Sequence, residues 1–97
     1  MSYYRVKVIG KTDDGGVELL GSVRLPQASI DYLTAGQSWV VQVSERTAAY
    51  AESVSFQTIS FSAARFQMPT GAVANVVVAS NPALFRRVMR GELEIWI

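Results

Sequence analysis

The chain has 97 residues, 49% hydrophobic and 18% charged, and nine basic against eight acidic side chains leave a net charge of +1. That length fits one domain, and that balance sets it apart from disordered chains, which are poor in apolar residues and rich in net charge. There is no cysteine and no histidine, which excludes disulfides, thiolate nucleophiles, the commonest general base and the commonest transition-metal ligand.

Tyr4, Val6 and Val8 alternate with Tyr3, Arg5 and Lys7, the period-2 pattern of a strand with one buried face. Thr12-Asp13-Asp14-Gly15-Gly16 is dense in turn formers. Val17, Leu19, Gly21, Val23 and Leu25 then mark a second alternating strand, so the two segments predict an antiparallel hairpin. Pro26 breaks the ladder because it cannot donate a hydrogen bond. Pro26, Ile30 and Leu33 recur at i, i+4 and i+7 with Gly36 at a helix C-terminus, which predicts a short helix.

Ser38–Ser44 predicts a third strand, with Trp39, Val41 and Val43 on one face, and Glu45–Glu52 reads as a loop or a weak helical turn. Ser53–Phe66 is β-prone but changes phase: Val54 and Phe56 share one parity, Ile59 and Phe61 the other. A bulge near Gln57–Thr58 or a crossing between layers accounts for that. Met68-Pro69-Thr70-Gly71 predicts a turn, and Val73–Ala79, apolar on both faces, a central strand. Asn81-Pro82 is a helix start, with Asn as N-cap and Pro at the first helical position. Leu84, Phe85, Val88 and Met89 fall on one side of that helix and Arg86, Arg87 and Arg90 on the other, and Gly91 ends it. Leu93, Ile95 and Ile97 alternate with Glu92, Glu94 and Trp96 in a last strand. The fold class is α+β: a single domain over residues 1–97, with an antiparallel or mixed sheet of about six strands and two short helices, in the order β-β-α-β-β-β-α-β.

Chemistry-bearing patterns are sparse. Asp13-Asp14 precedes two glycines and is explained by the turn, while Glu92 and Glu94 fit a solvated strand face. Serine hydroxyls have no histidine to activate them, and a Ser–Lys dyad would need Lys7 or Lys11, both expected on exposed strand. No phosphate-binding glycine fingerprint is present. The sequence thus predicts no enzyme, no cofactor and no metal. Tyr3, Arg5 and Lys7 on one strand face, joined by Arg86, Arg87 and Arg90, could meet a nucleic acid, but the near-neutral charge supplies no global attraction. Protein binding is favoured. Seven arginines stand against two lysines, and Tyr3, Tyr32 and Trp96 lie on polar faces of their elements, with Tyr50 in a loop.

The compact, near-neutral, cysteine- and histidine-free α+β style is common among small bacteriophage proteins, both virion components and inhibitors of host factors, though no motif ties the chain to a family. The expectation is a non-catalytic protein-binding or self-assembling module, concretely a phage virion or assembly component. Tyr3, Arg5, Lys7, Tyr32, Arg86, Arg87, Arg90 and Trp96 are its interface candidates. A nucleic-acid-binding protein is the first alternative, and a protein inhibitor of a host enzyme or defence factor the second. The partner is protein, self or heterologous, in a homo-oligomer or larger assembly. No apolar stretch approaches the ~20 residues of a membrane span, and the segment Met1–Lys7 lacks a signal peptide's apolar run. Cytoplasm or virion is therefore the expected location.

Overall fold

The computed structural model describes residues 3–45, 57–64 and 76–96. The elements are β1 (Tyr3–Lys11), β2 (Val17–Pro26), α1 (Gln27–Thr34), β3 (Trp39–Glu45), β4 (Gln57–Ala63), β5 (Val76–Ala79), α2 (Pro82–Met89) and β6 (Leu93–Trp96). The strands form one sheet in the order β2-β1-β5-β4-β3-β6. It is mixed: β1 and β5 run parallel, and every other neighbouring pair is antiparallel. The element order is the one the sequence predicts, and β5, apolar on both faces, lies inside the sheet as expected. The segment 46–56, the turn expected at Met68–Gly71 and the phase change before Gln57 lie outside the described residues.

The β1–β2 hairpin turns at Thr12–Gly16, where the Thr12 hydroxyl and the Gly16 N–H both donate to the Asp14 carboxylate. Those two donors, Thr12 foremost, hold the Asp14 carboxyl below its ordinary value. From the turn the strands pair Lys11 with Val17 and Ile9 with Leu19, but Val8 then faces Gly21, so Leu20 is an extra residue on β2. This bulge decides which side chains are buried. Beyond it Val23 and Leu25 turn inward with Val6 and Val8, and Leu20 packs on the same core. On the turn side, Val17 and Leu19 point outward and are exposed. The unbroken apolar alternation from Val17 to Leu25 is therefore inverted halfway. Tyr4, expected on the buried face with Val6, is exposed at the strand's start.

Helix α2 starts where Asn81 Oδ1 accepts the Leu84 N–H at 3.1 Å, with Pro82 just inside. It stops at a Schellman turn in which Gly91 N–H bonds Val88 C=O and Glu92 N–H bonds Arg87 C=O. Gly91 takes φ +78°, a left-handed conformation that a Cβ disfavours. Leu84 and Phe85 are buried, and the Phe85 ring meets Phe61 of β4 edge-on, with centroids 6.0 Å apart. Val88 packs at the core's margin. Met89, expected in the core, is 44% exposed. It leans over Gly21, where a Cβ would strike its sulfur, so this methionine covers the bulge.

Helix α2 touches β1 and both edge strands, β2 and β6. In a flat sheet those edges would stand about 24 Å apart, five spacings of ~4.8 Å, whereas a helix with its side chains is only about 10–12 Å across. The sheet must therefore curl around the helix, and it does. Helix α1 lies on the same side, touching β2, β3 and β4, with Leu33 in the common core and Ile30 packed against it. No helix among the described residues is long and apolar enough to cross a membrane.

Among the described residues two buried polar atoms, Ser29 Oγ on α1 and Trp39 Nε1 on β3, make no hydrogen bond. Leaving such an atom unpaired costs about 1–3 kcal/mol. Ser29→Ala should therefore raise stability by about 1 kcal/mol, read as a higher urea midpoint at unchanged slope. Phe85→Ala should lower it by about 3–5 kcal/mol through lost burial and the cavity left behind. A Phe85→Ala midpoint close to wild type would show that α2 does not hold the curl closed.

Candidate functional site

Both helices occupy the concave side of the sheet, and no described helix covers the other side. Strand register assigns the side chains of this open face. From β2 and β1 come Val17, Leu19, Ser22 and Arg24 with Tyr3, Arg5, Lys7, Lys11 and Ile9, the last of them buried; from β5, Val76 and Val78. Further across the sheet come Ser60 and Ser62, then Val40 and Gln42, and finally Glu94 and Trp96 on β6.

Four of the eight predicted interface residues belong to this face. Tyr3, Arg5 and Lys7 lie together on β1, and Trp96 lies on β6, four strands away, or about 19 Å along the sheet at ~4.8 Å per strand. Trp96 is 53% exposed, yet its Nε1–H donates to Ser44 Oγ at 2.7 Å, so the ring is held in place over a buried hydroxyl. A large aromatic side chain that is both exposed and fixed is the kind that anchors interfaces.

The other four lie on the helix side. Tyr32 tilts against Trp39 with ring centroids 5.4 Å apart. Arg86 pairs with Glu18 of β2, and Glu92 takes Arg90 Nε at 2.7 Å and Arg87 Nε at 3.6 Å. The Schellman turn explains the second cluster, since it folds Glu92 back over the last helical turn. All three arginines point to solvent, as predicted, but each already has a carboxylate. Exposed pairs of this kind are worth about 0–1 kcal/mol each. The structure thus separates the strand basic residues from the helix arginines, which lie on opposite sides of the sheet.

Arg24 is the residue that sequence reasoning missed. It stands directly opposite Arg5 in the antiparallel pair, with Lys7 opposite Ser22 one step on. Arg5, Lys7 and Arg24 are exposed and make no ion pair among the described residues. Counting outward from the turn would place Val23 opposite Arg5; the bulge adds one residue and substitutes Arg24. The same bulge puts Leu19, 66% exposed, and Val17 on this face. One local irregularity thus composes a surface with a cationic row beside an aliphatic one.

Among the described residues no group of three carboxylates could hold a metal ion. No family model matches the sequence, and neither a curated protein nor a solved structure matches it.

Like charges facing each other across a strand pair are destabilising, on a scale of about 0.2–1 kcal/mol. Arg24→Gln should therefore leave the denaturation midpoint unchanged or raise it by up to about 1 kcal/mol in stability. A loss greater than 1 kcal/mol would make Arg24 a structural residue and remove it from the candidate face.

Proposed function

We propose that this protein is a non-catalytic binding module that docks another protein, a second copy or a different chain, on the open face of its sheet. One observation carries the reading: a sheet face that no described helix covers bears exposed Leu19, Val17, Val40, Tyr3 and Trp96, and its cations on β1 and β2 have no counter-charge among the described residues. Exposed aliphatics scattered singly are ordinary, but several on one face with a fixed tryptophan suit an interface. The helix arginines contribute little to it, because their charges are met within the chain.

The concrete form proposed is a bacteriophage virion or assembly component, a reading that rests on compositional style alone and is tested by the chain's presence in purified particles. Sedimentation velocity at micromolar concentration should give a species larger than the monomer, or a complex once the partner from a native lysate is added. Leu19→Glu combined with Val40→Glu should abolish that species while the melting curve stays within a few degrees. A strict monomer that retains no partner, or an assembly indifferent to the double change, would refute the docking role.

A further inference from the structure

The open face is chemically divided, and the division names a partner. Arg5 and Arg24 sit side by side across the β1–β2 ladder, and Lys7 follows two residues along β1. At ~3.3 Å per residue that step is about 7 Å, with roughly 5 Å between the two paired α-carbons. Two further residues along, on the same face, begin the Ile9–Leu19 and Lys11–Val17 pairs. Leu19 and Val17 are both more than half exposed. One path of about 20 Å along the hairpin therefore passes from a double arginine row, past Lys7 and the buried Ile9, to exposed Leu19 and Val17 with Lys11 beside them.

We propose that this path binds an extended protein segment carrying acidic side chains followed by apolar ones, the carboxylates on Arg5, Arg24 and Lys7 and the apolar groups on Leu19 and Val17. The inference rests on the docking role above and specifies its partner. Charge complementarity is the first support. Every described arginine of α2 has a carboxylate, whereas the facing Arg5 and Arg24 have none among the described residues and repel each other, so an external carboxylate relieves that repulsion. Guanidinium groups also bind carboxylates bidentately, which fixes the register of a bound segment.

The second support distinguishes protein from nucleic acid. A single-strand binder needs cations along the whole path and flat rings for the bases to stack on. Here the cations thin out to Lys11 alone beside exposed Leu19 and Val17, and Tyr3 is the one aromatic residue on the outer face of this hairpin. Leucine and valine meet apolar side chains, not phosphates.

The probe is a fluorescein-labelled extended peptide whose alternate residues read Glu, Glu, Leu, Leu, with serines between. Fluorescence anisotropy should show saturable binding, and amide shifts in a labelled protein should map it to β1 and β2. Arg5→Gln with Arg24→Gln should weaken binding at least tenfold, as should Leu19→Ser, and so should replacing the peptide's glutamates with glutamines. Denaturation midpoints of the variants serve as the folding control. Binding indifferent to these changes, or none at millimolar peptide, would overturn the assignment. So would tighter binding of oligothymidylate with the roughly 10³-fold loss between 50 and 200 mM salt that six or more phosphate contacts produce. Should the peptide fail while a partner complex is still lost in the Leu19→Glu, Val40→Glu variant, the docking role stands and only the partner's chemistry is wrong.

Discussion

A single helix of eight residues rests against both edges of a six-stranded sheet, and the fold depends on that contact. A helix so short is not stable by itself in water. It exists because Asn81 and Gly91 fix its ends and because Leu84 and Phe85 are buried between the strands. The sheet in turn curls because the helix is narrower than the gap it closes. Phe85 against Phe61 joins the two, since Phe61 lies on β4 in the interior of the sheet while the helix reaches the margins. Curl, core and helix placement are one packing solution, and the open convex face is what remains.

That remainder gives the protein its distinctive chemistry. The concave side neutralises its charges locally, with Glu18 and Glu92 serving three arginines. On the convex side Arg5, Lys7 and Arg24 have no carboxylate partner among the described residues. A surface that keeps two arginines in register, with no carboxylate on them among the described residues, works against stability, though only by tenths of a kcal/mol to about one. Features that cost a little and stabilise nothing within the chain are reasonable places to seek function.

Much of the architecture was legible because its signals are local. Asn81-Pro82 and Gly91 each specify one end of α2 through hydrogen bonds within a few residues, and the alternation in β1 and β3 states which face is buried. The bulge at Leu20 was not legible. Leu19 and Leu20 are both apolar, so either could face the core, and the choice is made by Gly21 accommodating Met89 from a helix more than sixty residues away. Arg24 was invisible for the same reason, since its pairing with Arg5 depends on that slip. The helix arginines were read correctly as exposed, but their partners come from β2 and from the turn after α2, contacts that helical periodicity does not encode. Met89 illustrates the limit from the other side: periodicity places it among core residues, and only the curl decides that its end of the stripe lies over an edge.

The closure of the sheet by α2 also has a temporal side. During synthesis β2 is complete once Pro26 has been added, but the helix that will lie against its edge ends at Met89. At 5–20 residues per second that interval lasts roughly three to thirteen seconds, far longer than the microseconds in which a hairpin forms. The nascent hairpin therefore waits with a bare edge strand, which can pair with a neighbouring chain. Arg24 lies on that edge strand, exposed, and an exposed charge on an edge opposes any register that sets it against the same residue of a second chain.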